Sequence, residues 1–87
     1  MSINLTALIR SKNGHAQDLK PFLLTLVDAS RKEAACLRYD LHQSVEDENQ
    51  FLFQEEWKDQ AGLDLHNQQE HLLDFGTESA PLIDGTA

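Results

Sequence analysis

The 87-residue chain has little of what small domains use for covalent or metal support. Cys36 is its only cysteine, so an internal disulfide cannot form, and a lone thiol suits a reducing compartment. No cysteine stands near histidines at zinc-binding spacing, so no metal site is expected. One domain spanning residues 1–87 buries only roughly 60–65 % of the surface of its unfolded chain. We therefore predict that it pairs with a second copy of itself.

Basic residues and long apolar runs are also scarce. Seven Lys and Arg oppose fifteen Asp and Glu, and the net charge of −8 disfavours binding to nucleic acid or to anionic membrane surfaces. No apolar stretch approaches the length of about 20 residues that spans a membrane. The N-terminus has no basic segment before an apolar run. We predict a soluble, cytoplasmic protein without nucleic-acid or membrane partners.

The first half of the chain changes its hydrophobic period once. Residues Ile3–Arg10 alternate between apolar and polar side chains, except at Leu8, and predict a strand. Apolar residues then recur with helical spacing over residues 19–30. Pro21 leaves two starts open for this helix: an irregular first turn, or a regular start near Asp18 as the N-cap.

Two further alternating runs, Cys36–Ser44 and Gln50–Lys58, flank a short acidic turn and predict a β-hairpin. One face of this hairpin is predicted to carry Leu37, Tyr39, Leu41, Phe51, Phe53, Glu55 and Trp57. The other face carries Arg38, Asp40, His42, Leu52, Gln54 and Glu56. We expect the first face to line a ligand pocket and the second to form a dimer surface.

The C-terminal part predicts two short helices. Asp59 suits the N-cap of a helix over Gln60–Asn67, which Gly62 weakens. A second helix over Glu70–Phe75 precedes an irregular tail over residues 76–87. The order β-α-β-β-α(β) is that of a ferredoxin-like α+β domain.

Several motifs in one register resemble the antibiotic biosynthesis monooxygenase family, also called quinol monooxygenase-like. They are Gly14-His15, Ala29–Glu33, Cys36–His42, Glu55-x-Trp57, Asp59-x-Ala61-x-Leu63-x-x-His66 and His71. The resemblance implies a ferredoxin-like protomer, a homodimer whose sheets form a shared α+β barrel, and a ligand cavity between sheet and helices.

The resemblance also implies a range of activities. Several members oxygenate phenols or quinols without metal or flavin, others isomerise a phosphorylated sugar-derived ketone, and others break down haem. The Asn and Trp of the haem-degrading members correspond here to Ala7 and His66, which disfavours that activity. The family's fourth strand is represented only by Leu82-Ile83, so we expect a short or missing final strand.

Our leading hypothesis is a cofactor-independent monooxygenase acting on a small aromatic, quinol-like or quinone-like ligand. Such an enzyme needs an apolar pocket, a base and donors for a developing oxyanion. His66 is the candidate acid/base, and a break near Asn67 would bring His71 towards it. The alternative interpretation is that both histidines only cap helix ends or lie in solvent.

Glu55 is the second candidate catalytic residue, because a carboxyl among aromatic side chains is unusual. It either forms an ion pair with Arg10 or has a pKa raised by desolvation. The candidate substrate-binding residues are Tyr39, Trp57, His71 and Phe53, although alternating aromatics also serve as plain core. Cys36 is interpreted as a small structural hydrophobe with an unreactive thiol rather than as a nucleophile.

Two rival functions stay open at this point, and so does the question of whether the protein is an enzyme. The first is an isomerase of a small phosphorylated hydroxy-ketone, with Arg10, Arg38 and Lys58 as the available cations. The second is a non-catalytic dimer that holds a small hydrophobic ligand.

Overall fold

A computed structural model of the protein describes residues 2–84 and has the predicted α+β architecture. In chain order its elements are β1 (Ile3–Arg10), α1 (Ala16–Arg31), β2 (Cys36–Gln43), β3 (Gln50–Trp57), α2 (Gln60–His66) and α3 (Glu70–Ser79), followed by a 3₁₀ turn at Ala80–Leu82. No helix in this part of the chain is long and apolar enough to cross a membrane.

The three strands form one antiparallel sheet in the order β1-β3-β2. The hairpin of β2 and β3 confirms the prediction, and each strand ends one residue earlier than expected. The strand β3 is central because both of its edges are paired, and its alternation is the clearest in the chain. Its inward residues Phe51, Phe53, Glu55 and Trp57 are all buried beneath the helices.

The core lies between one face of the sheet and the helices. Its buried apolar residues are Ala16, Leu19, Leu23, Leu26, Val27, Tyr39, Phe51, Phe53 and Trp57. The opposite sheet face has no helix over it in the described residues. There Leu8, which breaks the expected alternation, is 64 % exposed and lies directly across from Leu52.

The prediction for Leu37 was wrong. A shift of register between Cys36 and Arg38 interrupts the pairing of β2 with β3, and Leu37 is left 57 % exposed. Cys36 lies opposite Trp57 instead, on the side that packs against the core. The bulge adds one extra residue to the start of β2. The side chains that face the core there are therefore Cys36 and then Tyr39.

The helix α1 begins early and includes its proline. Its N-cap is His15, and Asp18 is a first-turn residue whose carboxylate lies 3.1 Å from the His15 ring nitrogen. The suggestion that Asp18 caps the helix was therefore wrong. Pro21 is exposed on the solvent side, where the lost backbone hydrogen bond is least costly.

The helix α3 extends past its predicted end at Phe75. It continues through Gly76 to Ser79, whose side chain is fully buried. After the 3₁₀ turn, Ile83 forms a single antiparallel bridge with Ser11 at the edge of β1. The expected irregular tail thus starts later than residue 76, and the final strand is as short as predicted. Residues 85–87 of that tail lie outside the described residues.

Candidate active site

Two histidines and one glutamate converge where the helices end. The helix α2 ends at His66 and α3 begins at Glu70, so the chain turns between them and brings His71 back towards His66. Glu33 follows α1 and reaches both rings with one oxygen. His66 Nδ1 donates to Glu33 Oε2 at 2.6 Å, and His71 Nε2 donates to the same oxygen at 2.9 Å.

Local sequence explains why His66 is held in this place. Asp59 caps α2 by accepting a hydrogen bond from the Gly62 backbone at 2.8 Å, as predicted. His66 lies in the last turn and is only 3 % exposed. The hydrogen bond to Glu33 places the proton on Nδ1, which leaves the lone pair of Nε2 free to accept a proton.

Aromatic rings surround the His66 imidazole. The ring centroid of Trp57 is 4.4 Å away with the planes 32° apart, and that of Tyr39 is 5.6 Å away in an edge contact. These contacts restrict the imidazole to one orientation. His66 is therefore positioned on two sides, by a carboxylate and by the aromatic core.

Glu55 is a buried carboxyl next to this group, 6 % exposed. Burial raises its pKa, and the negative charge of Glu33 acts in the same direction. Trp57 Nε1 donates a hydrogen bond of 3.0 Å to Glu55 Oε1, which lowers the pKa of Glu55. The nearby His66 also lowers this pKa, but together the two effects offset the increase only partly.

The expected alternative of an ion pair between Glu55 and Arg10 was wrong. Arg10 donates to Asp47 at 2.6 Å, and its other close carboxylate is that of Asp84 at 4.0 Å. The pKa of Asp47 is held below its ordinary value by the hydrogen bond from Arg10. Arg10 thus ties the strand edge to the hairpin loop, far from the inward face that carries Glu55.

Tyr39 contributes a neutral hydroxyl to the same area. It is 2 % exposed, and burial, followed by the charge of Glu55, raises the pKa of its phenol. The phenol therefore keeps its proton at any physiological pH and is able to donate a hydrogen bond. Burial also raises the pKa of Cys36, which fits the prediction of an unreactive thiol.

A cleft of about 210 Å³ opens between the sheet and the helices beside these groups. It is lined by Leu5, Ala7, Ile9, Leu26, Tyr39, Phe53, Glu55, His66, Asn67, Leu72 and Phe75. Four candidate residues, His66, Glu55, Tyr39 and Phe53, thus meet at one mostly apolar space. Trp57 is fully buried behind it, and His71 lines a separate cleft of about 300 Å³ between α1 and α3.

A larger cleft, of about 380 Å³, lies elsewhere, between β1, α3 and the chain segment at Ile83. Its charged side chains are Arg10 and Asp84, and it contains no histidine. We place the candidate site at the smaller cleft because a buried histidine, a carboxyl with a raised pKa and a neutral phenol meet there.

Glu33 is the functional residue that sequence reasoning missed. It lies in the motif Ala29–Glu33, but nothing in its own spacing connects it to residues more than thirty positions away. One feature of the sequence could have indicated Glu33: it lies just after the C-cap of α1. A negative charge there interacts unfavourably with the helix dipole, so the residue has no local stabilising role.

Comparison with known proteins decides the family. A family model described as antibiotic biosynthesis monooxygenase matches residues 2–78. The chain belongs to the antibiotic biosynthesis monooxygenase family. Membership in this family assigns it a monooxygenase-like function at the level of the family.

Relatives within this antibiotic biosynthesis monooxygenase group agree in sequence and in fold. The chain is 33 % identical over 81 residues to "Putative monooxygenase YcnE" of Bacillus subtilis (strain 168), covering 93 % of this chain and 85 % of that protein. It is 41 % identical to PA3566 from Pseudomonas aeruginosa, whose crystal structure matches with a TM-score of 0.89 over 94 % of this chain and 83 % of that one.

A crystal structure described as an antibiotic biosynthesis monooxygenase is 30 % identical, with a TM-score of 0.91 over 99 % of this chain and 90 % of that one. The ferredoxin-like fold predicted from the sequence is thereby confirmed.

Proposed function

We propose that this protein is a cofactor-independent monooxygenase that oxidises a single-ring phenol or quinol in the 210 Å³ cleft. The observation that carries the proposal is the Glu33–His66 pair, which presents the free Nε2 of a buried histidine beside an apolar space. An apolar cavity of about 150 Å³ is already able to hold benzene, whereas drug-sized ligands need about 300 Å³ or more. The cleft therefore suits a monocyclic substrate.

The first chemical step is deprotonation of the substrate hydroxyl. His66 Nε2 takes the proton, and the resulting imidazolium is stabilised by the carboxylate of Glu33. The neutral phenol of Tyr39 donates to the oxyanion that forms. The phenolate is rich enough in electrons to react with O₂.

The oxygenation balances without an external reductant. One atom of O₂ replaces hydrogen on the ring carbon, the other leaves as water, and the two further electrons come from the substrate, which becomes a quinone. The departing oxygen needs a proton, and the raised pKa of Glu55 supports its role as the donor of that proton. His66 and Glu55 thus act as base and acid.

The test is O₂ consumption by the purified protein with hydroquinone and substituted phenols. His66→Ala is expected to reduce kcat by roughly 100- to 10,000-fold, the usual contribution of a general base. His15→Ala is the matched control, because that histidine is exposed and paired with Asp18 at the start of α1. Equal rates for the wild type and His66→Ala would refute the proposal. Binding without O₂ uptake would instead support a ligand-holding protein.

The isomerase alternative gains no support from the cleft. A phosphorylated substrate needs cationic partners, and no Lys or Arg is among the described residues that line it. Arg10 is paired with Asp47, and Arg38 with Asp40 on the opposite sheet face.

A homodimer and a cytoplasmic location belong to the same proposal. Proteins of this fold family are commonly dimers. The uncovered sheet face with Leu8 and Leu52 supports pairing of two copies through their sheets. The free thiol of Cys36 supports a reducing compartment.

A further inference from the structure

The Glu33, His66 and His71 group has the composition of a metal site as well as of a proton-handling site. One ligand atom from each residue lies within 4.8 Å of the other two. The side chains are shielded from water, with exposed fractions of 3 % for His66, 11 % for Glu33 and 24 % for His71. Three separate segments supply them, so the cluster is created by the fold.

We propose that these three side chains bind one divalent transition-metal ion, and that the ion replaces the two hydrogen bonds by which Glu33 holds the histidines. The binding stands independently of the proposed oxygenase activity. Only its effect on catalysis rests on that function.

The donor set selects the class of ion. Two imidazole nitrogens and one carboxylate oxygen suit Zn²⁺, Co²⁺, Fe²⁺ or Ni²⁺, whereas Mg²⁺ and Ca²⁺ prefer oxygen donors. Three protein ligands also leave a coordination position open, as in catalytic rather than structural zinc sites. Sequence spacing did not reveal the site, because it contains no cysteine and its glutamate is remote in the chain.

The three ligand atoms lie close together but must rearrange to hold one ion. Metal–ligand bonds of about 2.1 Å place neighbouring ligand atoms roughly 3.0–3.4 Å apart. The Glu33 oxygen is 2.6 Å from His66 Nδ1 and 2.9 Å from His71 Nε2, so it must move away from each nitrogen by a few tenths of an ångström or slightly more. The two nitrogens lie within 4.8 Å of each other and must approach by up to roughly 1.4–1.8 Å to share one ion. Because Trp57 and Tyr39 hold the His66 ring in place, rotation of Glu33 and of the partly exposed His71 must supply this movement.

Local charge also favours a cation. The carboxylates of Glu33 and Glu55 are close enough for the charge of Glu33 to raise the pKa of Glu55. The three ligand side chains carry one carboxylate and no fixed positive charge. A divalent ion offsets the charge of Glu33, the same charge that raises the pKa of Glu55, in a site that water reaches poorly.

His66 cannot act as a general base while it binds a metal ion. Its Nδ1 cannot donate a proton to Glu33 and coordinate an ion at the same time. With Nδ1 on the metal, the neutral ring carries its proton on Nε2, the nitrogen that would otherwise take the proton of the substrate. We therefore expect the metal-loaded protein to lose the base, so that the ion acts as an inhibitor.

The experiment uses untagged, chelator-treated protein titrated with Co²⁺, followed by visible absorption, and with Zn²⁺, followed by calorimetry. We expect one ion per chain. Glu33→Gln and His71→Gln are each expected to weaken binding at least about tenfold. The control His15→Gln removes a surface histidine paired with a carboxylate and is expected to bind as the wild type does. Circular dichroism checks that each variant is folded.

Absence of stoichiometric binding at millimolar metal, or equal affinity in all three variants, would overturn the metal site. The two proposals fail separately. Metal binding without hydroquinone oxidation by the metal-free protein refutes the oxygenase and leaves the site intact. Oxidation that Zn²⁺ does not inhibit, in a protein that does not bind it, refutes only the metal site.

Discussion

At the scale of single residues, Glu55 is the side chain whose environment conflicts most with its charge. Burial raises its pKa, so the folded protein holds this proton more tightly than the unfolded chain does. By linkage, stability must then fall as pH rises from the ordinary value of 4.5 through the raised one. A folded-state pKa that is higher by one than the unfolded-state pKa changes the free energy of unfolding by about 1.4 kcal/mol across this pH range.

Glu55→Gln tests this directly. The amide oxygen retains an acceptor for Trp57 Nε1 but has no proton to lose. We expect the variant to gain stability relative to the wild type as pH rises from 4 to 7, measured by urea unfolding at each pH. Glu46→Gln, in the exposed hairpin turn, is the control and should follow the wild type. The raised pKa would be contradicted if the wild type became more stable relative to Glu55→Gln as pH rises from 4 to 7.

Residue types and alternation were enough to find most of the candidate site. His66 and Glu55 stood out because a histidine near a helix break and a carboxyl among aromatics are locally unusual. The meeting of Glu55 with Tyr39 followed from strand pairing that the hairpin pattern already implied. Glu33 could not be found this way, because its contacts depend on how α1 ends relative to α2 and α3.

At the scale of elements, Gly62 determines how closely α2 approaches the segment that carries Glu33. A Cβ at this position would overlap the Cβ of Ala35 and lie 3.3 Å from the Asp59 carboxylate that caps the helix. The sequence identified this glycine only as a weakness in a helix. The structure shows that it permits a close contact, on which the His66–Glu33 distance depends.

Gly62→Ala is therefore expected to destabilise the protein. The overlap costs about 1–3 kcal/mol, more than the gain of roughly 1 kcal/mol in helix propensity. The variant should also shift the proton NMR signal of His66 Nδ1–H, because α2 must move away from Glu33. Urea unfolding and that signal are the measurements.

Gly76→Ala provides the opposite control for the same change. Gly76 lies inside α3 with nothing within 4 Å of an added Cβ, so alanine should stabilise by up to about 1 kcal/mol. If both variants gained stability, the close contact at Gly62 would be unimportant.

The same contrast explains which element boundaries could be predicted. The strands and the hairpin were correct to one residue, because side-chain alternation is a local signal. The predicted end of α3 was wrong because Gly76 resembles a helix stop. Packing of Leu72, Phe75 and Ser79 against the rest of the molecule extends the helix past it. The bulge at Leu37 depends on the partner strand, which sequence alone does not display.

At the scale of the whole molecule, the sheet has helices on one face only. On the other, Leu8 and Leu52 form a cross-strand pair among polar groups such as Thr6 and Gln54, which hydrogen-bond to each other at 3.1 Å. The length and composition of the chain predicted that one face would need a partner. The alternation pattern placed Leu52 on that face but missed Leu8, which was read as a break in the pattern.

Leu8→Glu is expected to convert a homodimer into monomers. It places a charge across from Leu52 at the centre of the proposed contact, and two copies related by symmetry would bring two such charges together. A stable interface of about 800 Å² per partner does not tolerate a pair of unpaired buried carboxylates. Light scattering coupled to size-exclusion chromatography over a range of concentrations measures the mass.

Leu65→Glu makes the same substitution at a leucine that is 56 % exposed on α2, away from the open sheet face. It should leave the mass of the dimer unchanged. A wild type that is monomeric at high micromolar concentration would remove the basis for the shared barrel. If Leu65→Glu dissociated the dimer and Leu8→Glu did not, the two copies would contact each other through their helices. The 210 Å³ cleft beside His66 would then lie nearer the interface than the sheet does.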